Sequence, residues 1–196
     1  AAEHGGTHLD SPVHFYQGRQ TVEQIPLEQL IGPAVVIDIS KQAAANRDYQ
    51  LSVADIMSWE KRHGKIPDHS ILLINTGFGR FYGDQKKYMG TTKRGEAGVK
   101  ALRFPGIHPQ TAEFTATKKK IKAVGLDTPS LDYGKSVKFA AHVALFKHNI
   151  PGFENVANLD VLPAVGATVI ALPMKIKGGS GGPLRIVAFV GEQVAE

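Results

Sequence analysis

Apolar positions along this chain fall into short runs separated by polar or glycine-rich joints. Residues 32–40, GPAVVIDIS, form a near-continuous apolar run with several β-branched residues, which predicts a buried strand. Residues 70–75 (SILLIN) and 121–126 (IKAVGL) predict two more. Between them the pattern lengthens. Ser52-Val-Ala-Asp55 reads as a capping box opening a helix through Trp59 to about His63, with Gly64 as its stop. Pro109 at a first turn predicts a helix over 109–116. Residues 136–148 are apolar nearly all round and predict a buried helix. Residues 167–172 and 184–190 predict late strands joined by a glycine-rich turn. Strands alternating with helices indicate the α/β class, and the late hairpin makes the sheet mixed.

Length and composition narrow this picture. At 196 residues the chain is expected to be one domain, 1–196, able to bury a good core. No apolar run approaches a membrane span, and no secretory core is visible, so a membrane partner is not expected and a cytoplasmic location is slightly favoured. There is no cysteine, so any metal must be held by His, Asp and Glu. The net charge of +5 is dispersed. Its one tight run, Lys118 to Lys120 with Lys122, lacks interleaved aromatics and reads as a solvated helix end, with no nucleic-acid partner.

The chemistry concentrates at the start: His4-Gly-Gly-Thr-His8-Leu-Asp10-Ser-Pro-Val-His14. Three of the eight histidines lie there beside an aspartate, and imidazole and carboxylate together suit zinc and other divalent transition metals. His4 and His8 would share a helix face, but Gly5, Gly6 and Thr7 argue for a turn or an irregular loop. Period-two spacing from His8 to His14 also lets an extended segment present them on one side. His63, His69, His108 and His148 have no such company and read as structural or exposed. His142, within an apolar helix, would by itself read as a core histidine. Asp127 at a strand end is open to two readings, a partner for a liganding histidine or a turn cap. Phe78, Arg80, Phe81 and Tyr82 follow a strand and offer a wall for a flat ring, with Arg80 free to meet a carboxylate; ordinary loop packing is the competing reading. Phe104-Pro-Gly106-Ile-His108 is a similar case. The glycines 178–182 lack the Lys-Ser/Thr of a phosphate loop and read as a hairpin turn.

The H-x-G-T-H-x-D-x-P-x-H string resembles the signature of the cyclase-like metal hydrolases, the family of bacterial-type kynurenine formamidase and isatin hydrolase. His142 followed twelve residues later by Glu154 resembles a second block of that family, as do GLDTPSLD from Gly125 and KIKGGSGGP from Lys175. The resemblance implies a swivelling β/β/α domain with one or two divalent ions, zinc or manganese. His4, His8 and Asp10 would hold one ion; Asp10, His142 and Glu154 would hold the second where two are present. His14 would be the acid/base. The glycine-rich segment would line one wall of the site. Implied substrates are small amides: an aryl formamide such as N-formylkynurenine as the main expectation, with a cyclic amide such as isatin as the alternative. Phe15, Phe78, Phe81 and Tyr82 would suit the flat aryl group. The resemblance further implies a homodimer or larger, and a stretch before His4 that this chain is expected to lack. The G-x-S-x-G string at Gly178-Gly-Ser180-Gly-Gly182 falls in the turn between two predicted strands and opens no helix, so it is not a nucleophile elbow and offers no serine route. The contrasting class, a metal-stabilised binding protein without turnover, would be favoured by a fully enclosed metal or by His14 directed away from it.

Overall fold

The computed structural model describes residues 2–191; residue 1 and residues 192–196 of the expected domain lie outside the described residues. Nine strands are present among the described residues: β1 (His8–Asp10), β2 (Ile31–Asp38), β3 (Gln50–Leu51), β4 (Ile71–Asn75), β5 (Gly106–Ile107), β6 (Ala123–Leu126), β7 (Gly152–Glu154), β8 (Ala167–Pro173) and β9 (Gly181–Val190). The helices are α1 (Leu27–Leu30), α2 (Ser40–Ala45), α3 (Val53–His63), α4 (Gln85–Met89), α5 (Gly95–Val99), α6 (Pro109–Lys118) and α7 (Ala140–Phe146). Seven strands close into a barrel in the order β1-β7-β6-β4-β2-β8-β9, with β3 and β5 pairing apart. The class is therefore mixed α/β, as the alternation predicts. No helix among the described residues is long and apolar enough to cross a membrane.

The apolar runs are continuous because both faces of their strands are covered. Ala34, Val36, Ile71, Leu73 and Ala123 turn into the barrel and meet Leu9, Phe153 and Val169. The alternate residues Val35, Ile37, Leu72, Ile74 and Val124 turn outward onto Ile56 and Trp59 of α3 and Leu145 and Phe146 of α7. β2, β4, β6 and β7 run parallel, whereas β8, β9 and β1 join antiparallel, so the sheet is mixed. Gly125 is required inside: a Cβ there would lie 2.9 Å from Leu73 Cδ2 and 3.1 Å from Phe153 Cβ.

The capping box of α3 forms as predicted, with the Asp55 amide donating to Ser52 Oγ at 3.2 Å and Gly64 ending the helix at φ 87°. Other boundaries shift. β2 stops at Asp38, and Ser40 begins α2. β9 starts inside the glycine run, because Gly181 and Gly182 pair with Asp10 and Leu9 of β1. α7 is shorter than residues 136–148. Phe139 sits in the left-handed region at φ 47°, and the Asp132 carboxylate takes the amides of Ala141 and His142, which fixes the helix start. The lysine run is tied to the surface: Lys119 pairs with Glu60, Lys120 with Asp68, and Lys122 Nζ donates to the Ile31 carbonyl.

Candidate metal centre

Strand alternation assembles the centre. In β1, Leu9 points into the barrel, opposite Phe153 of β7. His8 and Asp10 therefore face the other way, and His8 registers with Glu154. α7 lies over this face and lowers His142 onto it. His4 arrives from the irregular segment before β1, as the glycines predict.

The donor atoms converge. His8 Nε2 is 3.0 Å from Asp10 Oδ1 and 3.4 Å from Glu154 Oε2. His142 Nε2 is 3.3 Å from Asp10 Oδ2 and 3.0 Å from Glu154 Oε1. His4 Nδ1 is 2.6 Å from Asp10 Oδ1. Two sets, His4-His8-Asp10 and Asp10-His142-Glu154, each bring ligand atoms within 4.8 Å of one another, and Asp10 belongs to both. Its two oxygens serve different sets.

The outer nitrogens show what the inner ones can do. His8 Nδ1 donates to the Gly6 carbonyl at 2.8 Å, because a carbonyl only accepts. His142 Nδ1 lies 2.6 Å from Asp132 Oδ2, a carboxylate–histidine pair of the kind that orients metal ligands. With the Nδ1 proton committed in both rings, each Nε2 presents a lone pair to two buried carboxylates. That arrangement requires a positive charge between them, either a proton or a cation. Burial pushes His8 down, but Asp10 and Glu154 more than reverse this and hold it at about 10. His142 likewise rises well above its ordinary value: burial opposes the proton, and Asp10, Asp132 and Glu154 outweigh it. Burial would raise Asp10, yet His142, His4 and His8 hold it well below the carboxylate range. A site that draws protons this strongly onto nitrogen is chemically suited to a divalent ion in their place.

Known proteins resemble this chain along most of its length. Residues 1–133 match the model of the family described as "Putative cyclase". The chain is 34% identical to isatin hydrolase of Roseibium aggregatum, covering 96% of this chain and 72% of that protein. It is 30% identical to a kynurenine formamidase of Bacillus thuringiensis, covering 94% of this chain and 75% of the relative. Among solved structures it superposes on isatin hydrolase A from Labrenzia aggregata, bound to benzyl benzoate, with a TM-score of 0.88 and 37% identity over 97% of this chain and 75% of that one.

The chain belongs to the cyclase family. With that membership comes the class of enzyme, a hydrolase.

In this cyclase-family chain the centre opens into a cavity of about 420 Å³. His4, His8, Asp10, His14, His142 and Glu154 all border it, so the metal set is not enclosed by protein. His14 follows β1 on a single 3-10 turn, Pro12–His14. Its ring stacks on that of His4 with centroids 3.9 Å apart, and partial burial lowers its pKa. Phe15 lies at the cavity wall, 4.8 Å from Phe139 and 4.6 Å from the His142 ring, centroid to centroid.

The loop after β4 goes elsewhere. Phe78 is buried with Ala43, Tyr88 and Phe104, beneath the Arg47 guanidinium. Arg80 lies over the Phe81 ring, and Tyr82 borders a separate, smaller cavity beside Thr7 and Asn155. Phe78, Arg80, Phe81 and Tyr82 thus do not border the cavity above the centre. The apolar lining comes instead from Met89, Val99, Leu102, Phe104 and Phe139. Asp127 is a turn cap, accepting from Thr76 N at 2.9 Å, Thr76 Oγ1 at 2.6 Å and Gly79 N at 3.0 Å. The histidine partner is Asp132, which the sequence pattern did not single out.

Proposed function

We propose that the protein hydrolyses the carbon–nitrogen bond of a small aryl amide at a divalent metal centre. His4, His8 and Asp10 would hold one ion, and Asp10, His142 and Glu154 a second where two are bound. The observation that carries this is Asp10, whose two oxygens face two histidine sets around one buried acidic core open to a cavity. When bound, a divalent ion acidifies water from a pKa of about 15.7 toward ~7 and polarises a carbonyl oxygen. Zinc and manganese both suit the N/O donor set.

The remaining work falls to side chains. His14 stands at the cavity beside His4 and outside both ligand sets, placed to take a proton from water and return it to the departing nitrogen. Asp132 holds His142 in one tautomer. The paired rings of Phe15 and Phe139, with Met89, Leu102 and Phe104 also lining the cavity, exclude water from a flat substrate and orient it. Of the two amide classes, a cyclic amide of the isatin type is favoured over an aryl formamide. Identity is 34–37% to the isatin hydrolases compared above and 30% to the formamidase.

The test is a turnover screen of zinc- and manganese-loaded protein on isatin, N-formylkynurenine and simple formanilides, with bound metal quantified by mass spectrometry. Ring opening of isatin as the fastest reaction is expected. Faster deformylation would move the assignment to aryl formamides. Metal-loaded protein inert on every amide would overturn the reading.

A further inference from the structure

Among the three imidazoles around Asp10, His4 has the least support from regular structure. It precedes β1, and its side chain is 27% exposed, against 3% for His8 and 2% for His142. A side chain so placed would be expected to sample several rotamers. Its support comes from the far end of the chain. His4 Nε2 lies 2.8 Å from Ser180 Oγ. Ser180 Oγ in turn donates to Glu3 Oε2 at 2.8 Å, and the Ser180 amide donates to the same oxygen at 2.9 Å. A hydroxyl has one hydrogen. With that hydrogen on Glu3, Ser180 can only accept from His4. The proton of His4 is thereby placed on Nε2, and Nδ1 turns a lone pair toward Asp10.

The glycines around Ser180 make this contact possible. The Ser11 amide donates to the Ser180 carbonyl at 2.9 Å, and Ser11 Oγ donates to the Gly179 carbonyl at 3.0 Å. These bonds fasten the segment to the residue after β1. A Cβ on Gly181 would lie 2.6 Å from His4 Cε1 and 2.5 Å from the Leu9 carbonyl oxygen. The imidazole fills the space that a side chain at 181 would need.

We propose that Ser180 and Glu3 are positioning residues that lock His4 as its Nε2–H tautomer and aim Nδ1 at the metal. The glycine-rich segment 178–182 carries Ser180 and leaves room for the ring. This rests on the reading of His4 as a ligand. It gives the glycine-rich segment a function that the hairpin and phosphate-loop readings lack.

The test uses the full chain and zinc alone, titrated against a chromophoric chelator, with ¹⁵N spectra of the histidine rings. Ser180→Ala and Glu3→Ala should each weaken zinc binding by about 10–100-fold, the usual effect of removing an outer partner of a ligand. The double variant should be little worse than either, because the two act in one chain of hydrogen bonds. Ser180→Thr, which keeps the hydroxyl, should restore most of the affinity. In the wild type His4 should carry its proton on Nε2, and in Ser180→Ala the two tautomers should interconvert. Zinc affinity of Ser180→Ala within about twofold of wild type, well below that expected range, would overturn the relay. So would a His4 proton on Nδ1 in the zinc-loaded protein, a bare His4 Nε2, or a folded Ser180→Thr as weak as Ser180→Ala. A wild type that binds no zinc would overturn the metal centre itself, while the ¹⁵N spectra of wild type against Ser180→Ala would still decide the relay by whether Ser180 holds a hydrogen on His4 Nε2.

Discussion

His142 Nδ1 and Asp132 Oδ2 lie 2.6 Å apart, and the same carboxylate caps the first turn of the helix that carries the histidine. One side chain thus sets both where α7 begins and which nitrogen of His142 faces the carboxylates below. Asp132→Ala should weaken metal binding by about 10–100-fold. A competitive zinc titration reads this directly. An unchanged affinity with a folded protein would show that His142 is held by packing alone.

His14 and His8 should separate cleanly. His14→Ala should keep fold and metal content and lose turnover by about 10²–10⁴, the usual contribution of a placed proton-transfer group. His8→Ala should lose metal and activity together, since it removes a donor from the buried set. Metal analysis beside amide turnover checks both, and metal loss in His14→Ala would make it a ligand.

Stability away from the site should rest heavily on Trp59. It is 2% exposed, packs in the helix-side core, and donates Nε1–H to the Val36 carbonyl at 2.8 Å. Trp59→Ala should cost about 3–5 kcal/mol in urea unfolding. Trp59→Phe should cost less, but more than volume alone implies, because the Val36 carbonyl is left unpaired. Refolded Trp59→Phe should still bind metal at wild-type stoichiometry.

Acid sensitivity should pass in part through Asp48. Burial pushes its carboxyl up, but hydrogen bonds from Arg103 and Lys135 outweigh that and hold it below its ordinary value. A depressed folded pKa contributes stability that is full above the unfolded value near ~3.9 and is lost as pH falls through the folded value. The stability gap between wild type and Asp48→Asn should therefore be constant from neutral pH to about pH 5 and narrow below about pH 4. Denaturant melts across that range check it; a gap that widens on acidification would contradict the assignment.

Legibility followed the range of the interactions. The apolar strands β2, β4 and β6 and α3 with its capping box are readable because local pattern decides them. The barrel closure was not, since β1 and β7 are three residues each, too short for any period to show. β1 takes its register from β7 and β9, both in the last third of the sequence. The candidate metal donors stand out through clustering and family resemblance, whereas Asp132, ten residues before His142, lies in an ordinary Ser-Leu-Asp-Tyr context. The GLDTPSLD block contains it, but the strand end within that block points to Asp127. The 78–82 aromatics were drawn to the site by their position after a strand; the barrel instead turns that loop onto the packing of Tyr88 and Phe104.

The central claim is a divalent centre that drives amide hydrolysis, and its most direct test is a metal titration of turnover. Protein stripped with chelator should not open isatin or deformylate N-formylkynurenine. Manganese or zinc added back should restore turnover in proportion to bound metal, saturating at one or two ions per chain, and Asp10→Ala should recover neither binding nor turnover. Turnover that persists unchanged in stripped protein, or in Asp10→Ala, would contradict the account.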